Sequence, residues 1–356
     1  MAARTRRAEI GVVDLARELG ISTATVSRAL NGSAAVRPEL AERVRQHAES
    51  RGYVANRLAR ALSANTSRAF VGFMIPYVDT PAYSAVAAEL ARLLSADGTQ
   101  MILTITENDP ERELRQLREL LASRVAGLVI STSTGVLEDT KRLLTRLPVV
   151  ELHRASGIDA PGVFSDDEQT LAESVLHLAA LGHRRIGYLG TPTALSNGES
   201  RLRGVRRGAE LAGLGRDAVT VCLPEPTQEN GYRGALELLG RSPAPTALLI
   251  GGGALSIGAA RAVRASGRRL PDDLSLVVYG DPSWFALSDP PLTTIAVPYP
   301  ELASRAARLL LGRLDGVAGG GLAAGGGLAG GGLAGGGPNL IKPELIVAGS
   351  TGPPGG

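Results

Sequence analysis

Apolar positions recur at helical intervals through the first sixty residues, and beyond them the pattern changes. In VVDLARELGISTATVSRALNG, Val12, Leu15, Ala16 and Leu19 fall three or four apart, stop at Gly20, and resume as Val26, Ala29 and Leu30. That spacing predicts two short helices joined by a tight turn. Gly20 can take the positive φ that ends the first, and Ser22 can cap the second. A third helix is expected from Pro38, which suits a first helical position, through Leu40, Ala41, Val44 and Ala48 to Gly52. ANRLARALSANTSR then offers Asn56 as the cap of a helix of about seven residues, too short to persist in water without a partner.

From Phe70 onward, short apolar runs alternate with amphipathic stretches, the signature of parallel βαβ units. AFVGFMIP, TQMILTITE, VAGLVIST and RLPVVEL read as strands, with SAVAAELARLLSADG and PERELRQLRELLASR as helices between them. A second set, RRIGYLGT, AVTVCLP, TALLIGGG and LSLVVYG, is separated by helices beginning near Gly198, Asn230 and Leu255. Two such sets predict two lobes. PPLTTIAVPYPELASRAARLLLGRLDG would cross back to the first lobe as a helix, and LIKPELIVAGS would return as one last strand.

The run LLIGGGALSIGAA raises a separate question. A glycine-rich turn between strand and helix often cradles a phosphate, but here Ser256 stands where the G-x-G-x-x-G pattern needs its third glycine. Between Val317 and Pro338 the chain repeats GGGLA without a charge, and ordering so much glycine disfavours both helix and strand. A flexible insert is expected there, and a disordered tail after Ser350.

Charge sharpens the picture of the first segment. Residues 1–65 carry eleven arginines against six carboxylates, a net charge of +5, which leaves −2 for the remainder of a chain whose total is +3. A basic end on a nearly neutral body is the footprint of a polyanion-binding module. On the second helix, Thr23, Ala24, Ser27 and Arg28 face away from the apolar stripe, where a major groove could receive them. Arg28 could pair with guanine, while the small Thr23 and Ala24 permit close approach.

The ordered series of DLARELGISTATVSRALNG, the Pro38 helix, RGYVANRLARAL and the strand AFVGFMIP resembles the lactose-repressor (LacI/GalR) family of bacterial transcription regulators. LAALGHRRIGYLG and DPPLTTI carry the likeness into the body. The resemblance implies an α/β protein: a three-helix helix-turn-helix module over residues 1–55, a hinge helix and linker over 56–67, and a two-lobed, periplasmic-binding-protein-like body with doubly wound parallel sheets over 68–350. Its first lobe would comprise 68–164 and 296–316, its second 165–295 and 339–350, with the glycine-rich insert at 317–338 and a tail at 351–356. Candidate DNA contacts are Ser22, Thr23, Ala24, Thr25, Ser27, Arg28 and Asn31, joined by Asn56, Arg57 and Leu62 of the hinge. By the same resemblance Leu62 wedges into the minor groove at the operator centre, where an apolar side chain can unstack a base step. Ala55 departs from the usual proline, and Arg37 from the usual serine or threonine cap.

The resemblance also implies a ligand between the lobes, at the C-terminal ends of the strands. Of the usual anchors, the arginine survives as Arg201. His153 stands for an aspartate, Gly252 and Gly253 for an asparagine and an aspartate, and Gly280 for another aspartate with Asp281 beside it. Candidate effector contacts are therefore Tyr83, His153, Arg201, Gly252 and Asp281. Loss of carboxylates suits an anionic effector such as a sugar acid or phosphate, helped by backbone N–H groups of the glycine turn; the alternative is a cleft that binds nothing. Trp284, the sole tryptophan, is expected to pack or to meet a dimer partner rather than to wall the cleft.

Other classes lose ground. Four histidines, His47, His153, His177 and His183, lack nucleophile or metal-ligand spacing, so neither an enzyme nor a metal or organic cofactor is expected. His183 reads as structural, and the lone Cys222 as a small core residue in a reducing compartment. No apolar run is long enough for a membrane span, and MAARTRRAEI lacks a signal peptide's apolar core. A dinucleotide-dependent enzyme and a solute-binding protein are the remote rivals. The expected protein is a cytoplasmic homodimer, a repressor that binds a palindromic operator in double-stranded DNA under control of a sugar or sugar-derived effector.

Overall fold

The computed structural model describes residues 10–30, 33, 35–53, 69–78, 80–318 and 339–355. They form two compact units, one within Met1–Ser67 and one within Arg68–Gly356. The hinge segment, with Asn56, Arg57 and Leu62, lies outside the described residues, as do Asn31 and most of the glycine-rich insert.

In the first unit, helices α1 (Val12–Leu19), α2 (Thr23–Leu30) and α3 (Pro38–Ser50) enclose a core of Leu15, Val26, Ala29 and Val44. Each large apolar side chain removed from water there contributes about 2 kcal/mol. Gly20 ends α1 in the left-handed region at φ 69°, and the Ile21 N–H donates back to the Ala16 carbonyl at 3.0 Å, closing the tight turn that sets α2 against α1. Glu18 ties α1 to α3, accepting from Arg51 at 2.8 Å and pairing with His47 at 2.8 Å. Those two partners hold its carboxyl below the usual carboxylate range.

The second unit contains two six-stranded sheets. Strands β1 (Phe70–Ile75), β2 (Gln100–Ile105), β3 (Leu128–Ile130), β4 (Val149–Leu152), β5 (Gly162–Ser165) and β11 (Asn339–Ile341) build the first, in the order β11-β5-β4-β3-β1-β2. Strands β6 (Ile186–Gly190), β7 (Val219–Cys222), β8 (Ala247–Gly251), β9 (Ser275–Gly280), β10 (Thr293–Ala296) and β12 (Glu344–Ile346) build the second, in the order β12-β10-β9-β8-β6-β7. Among the described residues, only β10 with β12 is antiparallel. β3, β4, β6, β8 and β9 are buried along their whole length, as strands covered by helices on both faces must be.

Helices α4 (Pro81–Ala96), α5 (Pro110–Ala122) and α6 (Glu138–Leu144) follow the first strands. The second sheet is served by α7 (Asp167–Ala180), α8 (Ser196–Leu211), α9 (Gln228–Leu239), α10 (Gly253–Ala265) and the short α11 (Pro282–Phe285). Helix α12 (Tyr299–Ala318) returns to pack on α4 and the first sheet, and it runs two residues into the segment read as insert. Among the described residues no helix is long and apolar enough to cross a membrane.

Two expectations are corrected. LIKPELIVAGS is not one strand of the second lobe: Asn339–Ile341 pairs with β5 in the first sheet, and Glu344–Ile346 with β10 in the second. Pro343 separates them, because it has no N–H for a ladder. Nor is the tail loose. Ser350 is fully buried, accepting from the Thr293 N–H at 2.8 Å and donating to the Leu276 carbonyl at 2.6 Å. The buried His183 ring then joins Thr246 at 2.8 Å, Ser275 at 2.9 Å and the Gly352 carbonyl at 3.0 Å, so its role is to anchor the tail. Cys222 is only half-buried.

Candidate nucleic-acid interface and ligand cleft

On α2, the positions turned away from the three-helix core are exposed: Thr23, Ala24 and Arg28. Ser22 caps the helix, its Oγ accepting from the Thr25 N–H at 3.1 Å and lying 2.8 Å from Thr25 Oγ1. Those two hydroxyls therefore preorganise the helix start, and Thr25 and Ser27 are half-buried. Beside α2, a shallow groove is lined by Thr25, Arg28, Arg37, Glu39 and Arg43 among others. The three arginines are exposed and form no ion pair with a described residue, so their charge faces solvent. Arg37 opens α3 without a side-chain cap, and Pro38 at the first position holds the helix start instead.

In the body, the strands of both sheets end at one cleft. Its wall includes four of the candidate effector contacts, Tyr83, His153, Arg201 and Gly252, together with residues not anticipated: Arg154, Thr191, Asn197, Tyr279 and Tyr299. The cavity between them is about 60 Å³, room for a handful of waters, so a sugar-sized molecule requires the lobes to part. Asp281 is not part of this wall. Its carboxylate caps α11, accepting from the Ser283 N–H at 2.9 Å and hydroxyl at 2.7 Å. Trp284 also lies away from the wall and is 68% exposed, so it does not pack internally.

Arg201 is buried, and its guanidinium is largely occupied. Nε donates to Asp167 at 2.7 Å, Nη1 to the Gly251 carbonyl at 3.0 Å and Nη2 to the Tyr279 hydroxyl at 2.8 Å, while that hydroxyl donates to the other Asp167 oxygen at 2.8 Å. Burial pushes the Asp167 carboxyl above its ordinary range, against the pull of Arg201. Burial also works against the Arg201 charge, but Asp167 together with Tyr279 and Tyr188 outweighs it and the guanidinium stays protonated. The glycine run fits this centre. A Cβ on Gly251 or Gly190 would run into the Tyr188 side chain, whereas Gly252 is extended backbone at φ −176° that any residue adopts.

His153 is 9% exposed and sits in the left-handed region at φ 61°. Such a backbone is uncommon outside glycine and clusters at functional sites. The ring meets Tyr83 and Tyr299 edge-on, at 5.5 and 6.3 Å between centroids. Burial, with the Arg201 and Arg154 charges, pushes its pKa down to about 3, so it is a neutral imidazole. Nε2 of His153 has no partner among the described residues, and neither have Thr191 Oγ1, Asn197 Oδ1 or the Tyr299 hydroxyl. Buried polar groups are normally paired, so these atoms give the wall hydrogen-bonding capacity that the described residues do not use. Asn108 spans the cleft, accepting from Arg154 Nη1 at 2.9 Å in the first lobe and donating to Glu225 of the second at 3.2 Å. Among the described residues, no group of three or more His, Cys, Asp or Glu could hold a metal.

Comparison with known proteins converges on the same parts. Residues 12–56 match the family described as bacterial regulatory proteins, lacI family, and residues 175–321 match the periplasmic binding protein-like domain. The chain is 31% identical over 318 residues to the HTH-type transcriptional regulator MalR of Streptomyces coelicolor, covering 86% of this chain and 90% of that one. Among solved structures, the Lac repressor dimer bound to operator and the anti-inducer ONPF shares the fold at a TM-score of 0.80 and 24% identity, covering 96% of this chain and 99% of that one. A complex of the transcriptional regulator CelR with cellobiose aligns at a TM-score of 0.67 and 25% identity, with 96% and 99% covered.

Proposed function

The chain belongs to the lacI family of bacterial regulatory proteins, and from that premise we propose that it binds a two-fold symmetric operator as a homodimer and reports a small molecule held in the cleft. It is a DNA-binding transcription regulator rather than an enzyme, and repression is the simplest use of an operator-bound dimer. The observation that carries the reading is α2, a short helix fixed by its cap and core with Thr23, Ala24 and Arg28 exposed on one face. A helix of this kind enters the major groove and reads base edges, with Arg28 suited to guanine.

Asn31, Asn56, Arg57 and Leu62 complete the proposed DNA contacts. The hinge segments of the two protomers would meet in the minor groove at the operator centre, where Leu62 kinks the duplex. Trp284, and Leu287 at 82% exposure, leave apolar surface beside β10 that a second protomer could cover. In this reading the protein works beside the nucleoid in the bacterial cytoplasm.

The effector acts by favouring one arrangement of the two lobes over another. A ligand shifts that balance only through different affinity for the two states, and a cleft whose opposite walls come from different sheets supplies the difference. Selection of genomic fragments on the full-length dimer, followed by titration of the enriched sequence, tests the reading. Fragments sharing an inverted repeat support it, and capture without any sequence preference refutes it.

A further inference from the structure

The cleft wall contains two guanidinium groups and no carboxylate. Arg201 is answered by Asp167 directly behind it. Arg154 is not: it is 4% exposed, Nη1 donates to the Asn108 side-chain oxygen and the Thr132 carbonyl, both at 2.9 Å, and Nε has no partner among the described residues. Two carboxylates stand nearby without touching it. Glu113 is buried, accepts from the Ser133 N–H at 2.6 Å and is pushed by burial toward its neutral form, against the pull of Ser133 and of the Arg154 charge; Glu225 lies on the far side of Asn108.

The opposite wall is the start of α10. Gly252, Gly253 and Ala254 line the cavity, and Gly252 offers no side chain to cap the thirteen-residue helix. The first N–H groups of such a helix carry partial positive charge and lack intrahelical partners. A Cβ on Gly253 would meet only the Tyr279 carbonyl at 3.8 Å, so that space is open to a ligand.

We propose that the molecule held in the cleft carries an acidic group, a carboxylate or a phosphate, seated between Arg154 and the N-terminus of α10; this rests on the cleft being an effector site. The acidic group supplies the direct carboxylate or phosphate contact that Arg154 does not make within the protein, and acceptors for the first turn of α10. His153 adds no charge and serves a hydroxyl through Nε2, while Asn197 and Tyr299 serve others. Sugar acids and sugar phosphates share this chemistry.

Thermal denaturation of the full-length protein tests it with D-gluconate, D-glucose 6-phosphate and D-glucose at equal concentration and ionic strength. One of the two acids is expected to raise Tm by several degrees while glucose does not, and which acid acts distinguishes carboxylate from phosphate. Arg154→Gln and Gly253→Asp, the second placing a carboxylate in the open space, are each expected to abolish the shift. The wild-type comparison decides without requiring any variant to fold. Equal stabilisation by glucose, or no shift from either acid, overturns the proposal, and so does an acid-induced shift that survives in folded Gly253→Asp. Stabilisation by glucose alone leaves the cleft an effector site and sinks only its acidity; DNA affinity unaltered by a ligand that raises Tm sinks the effector reading itself.

Discussion

Arg201 and Asp167 form an ion pair of 2.7 Å in which both side chains are almost wholly out of solvent, joined by the Tyr279 hydroxyl bridging back to the same carboxylate. Removing one member leaves the other charged and buried. Asp167→Ala and Arg201→Met are therefore each expected to destabilise the body by about 3–5 kcal/mol in urea denaturation. The double variant should lose much less than the sum, since it strands no charge. Additive losses would show that the two residues are not coupled.

His153 gives a pH signature. Its folded pKa of about 3 lies below the ordinary histidine value of 6.5, so folding favours the neutral ring. That contribution is fully present above pH 6.5 and is lost as pH falls toward 3, at up to about 1.4 kcal/mol per pH unit. In ¹⁵N NMR the His153 ring should stay neutral from pH 8 to pH 5; an inflection near 6.5 would contradict its burial.

The arginine at the start of α3 adds charge where the family pattern has a small cap. Arg37→Ser should weaken binding across all sequences alike and lower the slope of log affinity against log salt by about one per half-site, as loss of a phosphate contact does. A change in sequence preference with an unaltered slope would assign Arg37 to base reading instead.

Asn108 joins the lobes through Glu225. Without that bond the closed arrangement described here loses stability relative to a more open one, and a ligand that needs the lobes to part no longer has to break it. Glu225→Ala is expected to strengthen effector binding by about three- to tenfold while leaving DNA binding by the unliganded protein within a few-fold. Calorimetric titration showing unchanged effector affinity would remove Asn108–Glu225 from the coupling.

Much of the architecture was legible because periodicity reports faces. Val12, Leu15, Ala16 and Leu19 stand on one side of α1, and FVGFMI and ALLIG read as buried strands. What escaped was set by tertiary partners. β5, four residues beginning at Gly162, looks like loop until β4 and β11 flank it, whereas α7 goes unread although Leu171, Val175 and Leu178 recur at helical spacing. Arg201 was visible, but its neutralising Asp167 lies 34 residues away, on another helix. Arg154 stood one residue after His153 and carried no pattern of its own; its importance comes from the polar atoms it lacks. Gly252 and Gly253, read as missing anchors, border the cavity, and only Gly251 is demanded by packing, against Tyr188.

The central claim is that α2 reads an operator as one half of a two-fold symmetric pair. Affinity of the full-length protein and of Arg28→Ala for the fragment enriched from genomic DNA measures it most directly, beside a copy of that fragment with one half-site scrambled. The account predicts that the exposed Arg28 variant folds normally yet binds at least about tenfold more weakly, and that scrambling one half-site does comparable damage. Equal affinity of wild type and Arg28→Ala, or indifference to the scrambled half-site, would contradict it.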